Sequence, residues 1–326
     1  MNIAVIGLGS MGKRRIRLLK KHFSSHEIVG IEGNYDRAFY SEKEYGIKTF
    51  SDLSSTIKSL ELHCAFVCTP PITHSEIITG CLNHNIHVFT ELNLIKQGYE
   101  KNISLAKEQG KVLFLSSTAL YREEMKYVIE KVHQTKKNLC YCYHVGQYLP
   151  DWHPWESYQS SFFSRKETNG CREILAIELP WILKAFGQVR SLNVITNKVT
   201  ELNIGFHDYY NIQLMHENGA MGNLIVDVVS REAVRKLEVF GEDIYLEWQG
   251  KPDSLREKNL ETAQMLPISL YSEIDKIEGY SSTIIENQYL DEMRSFFRIL
   301  EGKERSVYDF MDDLYTLNLI DTIEGI

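Results

Sequence analysis

The chain has 326 residues, of which 43% are hydrophobic and 25% charged, and its formal net charge is −8. That length exceeds one compact core of ordinary size and predicts two domains. The acidic balance argues against a nucleic-acid or anionic-membrane surface, and no apolar run approaches the ~20 residues that cross a bilayer.

Residues 2–6 (NIAVI) form a short, β-branched apolar run, the pattern of a strand buried on both faces. Gly7-Leu8-Gly9-Ser10-Met11-Gly12 follows at once. A helix then places Met11, Ile16, Leu19 and Phe23 on one face, with Lys13, Arg14, Arg15, Arg17, Lys20 and Lys21 around the rest. This basic face reads as solvated, with Lys13 or Arg14 nearest any phosphate. Strands at 27–32, 64–68, 87–90 and 112–116 alternate with helices near 36–45, 73–83 and 98–109. Such alternation predicts a parallel sheet with helices on both faces.

The pattern changes near residue 118. A helix at 123–134 leads to a strand at 139–145, and from about 190 longer strands alternate polar and apolar residues. Asn218-Gly219 reads as a type I′ hairpin turn, and Gly241-Glu242-Asp243 joins strands 236–240 and 244–248. These strands predict an antiparallel sheet with one wet face. An amphipathic helix near 286–300 and an acidic helix follow, while 251–283 is polar and shows no clear pattern. The expected fold is α/β: an N-terminal Rossmann doubly wound parallel sheet (1–118) and a C-terminal α+β domain (119–326) with an open-faced, mostly antiparallel sheet.

The opening MNIAVIGLG carries neither the basic region nor the cleavage site of a secretory signal, so a cytoplasmic protein is expected. Cys64, Cys68, Cys81, Cys140, Cys142 and Cys171 form no CxxC and no zinc-type spacing, which predicts buried free thiols and no metal.

The glycine segment has a physical logic. Gly7 permits the tight turn out of the strand, Gly9 lets backbone approach a pyrophosphate, and Gly12 lets the helix pack close to the sheet. An anion then sits on the free amides of the helix N-terminus. The motif alone is weak, but here it follows a strand and opens a helix, the context that gives it meaning. Gly7, Gly9, Ser10, Met11 and Gly12 are therefore expected to bind a dinucleotide. Glu32 ends the second strand about twenty residues on, where an acid binds ribose hydroxyls and repels a 2′-phosphate. NAD is expected over NADP, although Arg37 nearby offers a phosphate a partner.

Cys68-Thr69-Pro70-Pro71 followed by His74 resembles the TPPxxH segment of the Gfo/Idh/MocA family of NAD(P)-dependent sugar oxidoreductases. The resemblance runs over nearly the whole chain: the glycine segment, this turn, 88–93, the helix ending at Gly187 and the Asn218-Gly219 hairpin. It implies the same two-domain architecture, a C-terminal sheet used for homo-oligomerisation, and a sugar or sugar-nucleotide substrate. It also implies that Thr69, Pro70, His74 and Glu91 lie at the cofactor site. The chain departs from the family where chemistry is expected. The family's Glu-Lys-Pro reads Glu91-Leu92-Asn93, and Leu92 can neither donate a proton nor hydrogen-bond. On the later helix, alignment at Gly187 puts Ile177 and Pro180 where the family carries a histidine and an aspartate. Pro180 should also kink or shorten that helix.

One segment is dense enough in functional groups to replace them: Gly146-Gln147-Tyr148-Leu149-Pro150-Asp151-Trp152-His153-Pro154-Trp155-Glu156. Here His153 is the expected acid/base, Asp151 orients it, and Trp152 and Trp155 offer stacking faces for a sugar. The bland alternative is an irregular loop whose tryptophans form a small local core. Arg172 is a substrate-binding candidate. Glu178, beside the missing histidine position, is a secondary catalytic candidate that also reads as an exposed carboxylate. His144 and His207 read as structural. The expectation is an NAD-dependent oxidoreductase of a sugar or sugar-nucleotide with a non-standard active site. The alternative is an inactive NAD-binding relative with a regulatory or scaffold role.

Overall fold

The computed structural model describes residues 1–153, 157–277 and 283–326. They form two compact units, Met1–Ser117 with Met293–Leu314, and Thr118–Glu292 with Tyr315–Ile326. A single cut after residue 118 does not contain this return of 293–314 to the first unit.

The first unit carries β1 (Asn2–Ile6), α1 (Ser10–His22), β2 (Glu27–Ile31), α2 (Tyr35–Tyr45), β3 (Lys48–Phe50), α3 (Leu53–Ser59), β4 (Cys64–Val67), α4 (His74–Asn83), β5 (His87–Thr90), α5 (Tyr99–Glu108) and β6 (Leu113–Leu115). All six strands are parallel, in the order β3-β2-β1-β4-β5-β6. The order reverses between β1 and β4, and the crevice outside the carboxyl ends of such strands is where open α/β sheets bind ligands. Sequence pattern missed β3 and α3, which are too short for a periodic signal.

Register builds the core of this unit. Phe66, Phe89 and Phe114 are partners on β4, β5 and β6. Their rings stack at 4.7 and 4.9 Å. Phe296 meets all three edge-on at 5.5 to 5.6 Å. All four side chains are buried.

The second unit holds α6 (Glu123–Gln134), β7 (Leu139–Gly146), α7 (Gly170–Phe186), β8 (Val189–Asn197), β9 (Tyr209–His216), β10 (Met221–Asp227), β11 (Val234–Gly241), β12 (Tyr245–Trp248), β13 (Arg256–Lys258) and β14 (Met265–Pro267). Helices α8 (Asn287–Leu300) and α9 (Phe310–Glu324) are divided between the units. Its sheet runs β14-β13-β12-β11-β7-β10-β9-β8, antiparallel except where β7 pairs β10. One face buries Tyr141, Tyr143, Ile212 and Leu224, and the other exposes Cys142, Ile195, Met215 and Met221. Cys142 is thus an exposed thiol, against the expectation of burial, because alternate residues of β7 face opposite ways.

Two local expectations are corrected. Gly219 has φ +90°, but Asn218 is not among the positive-φ residues, so the β9–β10 hairpin is no type I′ turn. His216 O accepts from Gly219 N–H at 3.1 Å and His216 N–H donates to Ala220 O at 2.9 Å, a type I turn closed by a left-handed glycine. Second, α7 runs through Pro180 to Phe186 without shortening. The neighbouring turns of this almost wholly buried helix hold it together across the missing N–H.

Replacing Phe296 with Ala should remove the edge-on cover of the three stacked rings. We expect a loss of about 3–5 kcal/mol in urea unfolding, the range for a buried aromatic truncation.

Candidate functional site

In the first unit the chain leaves β1 through Gly7, whose φ of +88° favours glycine. A Cβ there would lie 2.8 Å from Thr69 Cγ2 and 2.9 Å from Cys68 O, so the turn packs directly on the end of β4. At Gly12 a Cβ would fall 1.9 Å from Gly7 O, which fixes the helix against its own loop. Gly9 is different: a Cβ there meets nothing within 4 Å. Open space lies over its backbone, at the mouth of a helix with no side-chain cap and no acid in its first turn. Ser10 is exposed and Met11 half-buried beside it, with Arg14 donating to Met11 Sδ at 3.2 Å. This cradle fits a pyrophosphate.

Glu32 stands at the end of β2 with its side chain 7% exposed. Its Oε2 accepts from Leu8 N–H at 3.0 Å, and its Oε1 accepts from Asn34 N–H at 2.9 Å and Arg37 at 3.0 Å. Burial pushes the carboxyl upward, but the Arg37 hydrogen bond and the two amides outweigh it and hold Glu32 below the usual carboxylate range. An ionised acid is thus fixed beside the glycine turn.

The Thr69–Pro70 turn is fastened from below. His74 is buried, with Nε2 2.7 Å from Thr69 O and Nδ1 2.6 Å from Asn93 Oδ1. Burial lowers its pKa, and the contacts with Asn93 and Thr69 pull the other way. The Thr73 hydroxyl lies 2.7 Å from that of Thr69. His74 therefore holds the turn from within the core, while Thr69 and Pro70 form its rim.

Glu91 meets Arg15 rather than open space. Arg15 Nε donates to Oε1 at 2.6 Å and a terminal nitrogen donates to Oε2 at 3.2 Å. That guanidinium is wholly buried, lies 4.5 Å over the Phe89 ring, and also reaches Ser116. Arg14 is buried too, so the expectation of a wholly solvated basic face on α1 is corrected. The signal was present in the spacing: Arg15 shares a helix face with Leu19, four residues on.

In the second unit, residues 147–168 fold as four short 3₁₀ helices among the described residues. Trp155 lies outside the described residues. Trp152 is half-buried: its Nε1 donates to Gln147 O at 3.0 Å, and its ring lies 5.3 Å from Phe163. His153 meets the same Phe163 edge-on at 5.3 Å, and Asp151 is exposed. Phe163 thus gathers these side chains into a small aromatic cluster.

On α7, Glu178 is buried, which corrects its reading as an exposed carboxylate. Its Oε2 accepts from Tyr143 and Trp181, both at 2.8 Å, and its Oε1 pairs with Arg235 at 2.5 Å. Arg172 is likewise committed, to Asp321 at 2.7 Å and to Glu324, fastening α9 to the start of α7. Glu173 stands apart. Its Oε2 is buried with no hydrogen-bond partner among the described residues, and burial raises its pKa to about 7. It lies four residues before Ile177, on the same helix face as that position and Pro180. Sequence reasoning places it on the helix expected to carry catalytic groups but assigns it no role, although this spacing could have found one. Among the described residues no group of three metal-ligating side chains is arranged to hold a metal. No helix among them is long and apolar enough to cross a membrane.

Residues 1–117 match the Gfo/Idh/MocA family model, described as an oxidoreductase family with an NAD-binding Rossmann fold. Over that stretch the chain is similar to the Gfo/Idh/MocA family. The 4-carboxy-2-hydroxymuconate-6-semialdehyde dehydrogenase of Sphingobium sp. is 27% identical over 136 residues, 40% of this chain. The chain spans 43% of that relative's length, less than half. Among solved structures, an oxidoreductase from Agrobacterium radiobacter in complex with NAD+, L-tartaric acid and magnesium superimposes with a TM-score of 0.83 at 14% identity, covering 98% of this chain and 94% of that one. The WlbA dehydrogenase from Bordetella pertussis, in complex with NADH and UDP-GlcNAcA, gives 0.77 at 16% identity over 99% and 94%. At these identities the likeness is one of fold, and it covers both units.

Arg15→Met should leave the Glu91 carboxylate buried and unpaired. We expect a loss of about 3–5 kcal/mol in denaturant unfolding, larger than for the double variant Arg15→Met/Glu91→Leu.

Proposed function

We propose that this chain is an NAD-dependent oxidoreductase acting on a hydroxyl of a sugar or sugar-nucleotide, with Glu173 as the group that exchanges the proton. Glu32 carries the cofactor reading. An ionised carboxylate held by the Leu8 amide next to the glycine turn suits the two hydroxyls of an adenosine ribose and opposes a 2′-phosphate. Its partner Arg37 is more than half exposed and supplies the one local feature that would tolerate NADP. Gly9, Ser10 and Met11 line the mouth of the phosphate cradle, and Thr69 and Pro70 form its second wall.

NAD held by Glu32 and the glycine turn would supply a hydride acceptor for the carbinol carbon of a sugar. The hydroxyl must lose a proton in the same event, and a group titrating near neutrality serves best. Glu173, with its orphaned oxygen and a pKa of about 7, has that property. Its spacing to Ile177 explains how a chain without the family histidine retains an acid/base on the same helix. His153 and Asp151 are the rival pair. UDP-GlcNAcA bound to the Bordetella pertussis enzyme supports a sugar-nucleotide substrate. The exposed Ile195, Met215 and Met221 on the open sheet face support homo-oligomerisation through that sheet. Leu92, Ile177 and Pro180 favour a second reading, an NAD-binding relative without redox activity.

Calorimetric titration should show NADH binding more tightly than NADPH, and Glu32→Ala should cost NADH at least about tenfold in affinity. Binding of neither cofactor sinks the oxidoreductase reading. Binding without turnover across a panel of sugars and sugar-nucleotides supports the second reading instead.

Glu173→Gln should abolish the pH dependence of turnover near neutrality, whereas His153→Ala should keep it; the reverse pattern returns the role to His153. Stability gives a separate check. The unfolded chain ionises Glu173 near 4.5 and the folded one near 7, so the folded state is penalised as pH rises across that interval. Glu173→Gln should therefore raise the Tm by about 3 °C or more above that interval, and leave it unchanged below.

A further inference from the structure

A second polar site lies in the first unit, away from the glycine loop. An open cavity of about 740 Å³ is lined by Lys58, Glu61, His63, His84, His87 and Lys111 among other residues. These residues precede β4 and β6, begin β5, or end or follow α3 and α4, so they cluster at the amino ends of the parallel strands. The glycine loop opens at the opposite, carboxyl ends.

The charge here runs against the chain as a whole. The protein carries −8, yet the titratable groups named are two lysines and three histidines against one carboxylate. Neither Lys58 nor Lys111 forms an ion pair among the described residues. Two of the imidazoles are also fixed as donors. His63 Nδ1 accepts from Asn2 N–H at 3.1 Å, and His87 Nδ1 accepts from Val112 N–H at 2.9 Å. An imidazole that accepts at Nδ1 carries its proton on Nε2, so each ring keeps one N–H to offer. His87 is held below its usual pKa by burial, then by Lys111 and His63, which fits a pocket where basic groups outnumber the one carboxylate.

We propose that this cavity is an oxyanion site that takes the phosphoryl group of a small metabolite, held by Lys58, Lys111 and the Nε2–H donors of His63 and His87. A phosphoryl group matches the donor set because it brings nearly two negative charges and several acceptor oxygens, where a single carboxylate would neutralise only one lysine. The volume leaves room for the rest of such a molecule, and the site does not depend on the redox reading.

The test uses the full chain labelled with ¹⁵N and inorganic phosphate as the probe. The side-chain Nε2–H signals of His63 and His87 should shift saturably as phosphate is added. Lys58→Ala/Lys111→Ala should raise the midpoint at least about tenfold, the loss expected when two charge-assisted contacts go. Lys58 is exposed and Lys111 half-buried, and an unchanged Tm confirms that the variant is folded. Shifts that stay linear and are matched by sodium chloride at equal ionic strength overturn the proposal. So does a midpoint that the double variant leaves in place.

Discussion

The ion pair between Arg15 and Glu91 is the constraint on which the first unit depends. Arg15 sits in α1, the helix that carries the glycine turn, and Glu91 follows β5, two strands away from β1 in the sheet. A buried guanidinium has no water to fall back on, so its donors must be met by protein. Glu91, Ser116 and the face of Phe89 meet them, and in doing so set where α1 begins relative to the strand ends. Gly12 allows the helix to come that close, and Gly7 lets the chain turn back into it. The open backbone at Gly9 is the consequence: a helix mouth held in place by a charge pair behind it.

The same economy recurs beneath the second wall of the cradle. His74 joins Thr69 to Asn93, and Tyr99 in turn donates to Asp313, which also accepts from Tyr308 at 2.7 Å. Burial, then the charge of Asp313, pushes the Tyr99 hydroxyl far above its usual pKa, so it acts only as a neutral donor. Asn93 stands where the family places proline, and its amide takes part in this buried polar set. A departure from the family pattern is here a structural member.

Much of this was legible from residues alone because its causes are local. The strand-glycine-helix sequence, the acid at Glu32 and the alternating strands after residue 190 each depend on neighbours a few positions away. The misreadings share a different cause. Arg15 finds Glu91 76 residues on, Glu178 finds Arg235 57 residues on, and Arg172 finds Asp321 149 residues on. The partner of a charged residue in a helix is not legible from its neighbours in sequence, and these three are buried because a distant partner exists. Trp152 and His153 are a different case: Phe163, ten residues after His153, gathers them into a cluster, the alternative that composition leaves open. Glu173 gains its role for the opposite reason, since what marks it is an oxygen with no hydrogen-bond partner among the described residues.

The return of residues 293–314 to the first unit bears on how the protein is made. Synthesis proceeds from the amino terminus, so all six parallel strands leave the ribosome well before Phe296 does. Until then the stacked rings of Phe66, Phe89 and Phe114 lack their edge-on cover, and Tyr99 lacks the carboxylate of Asp313. Nascent chains with such a gap expose apolar surface for the time needed to add roughly 180 residues, about 10–40 s at ordinary elongation rates. The first unit is therefore not whole when its sheet is complete, and residues 293–314, near the end of the chain, set when it becomes so.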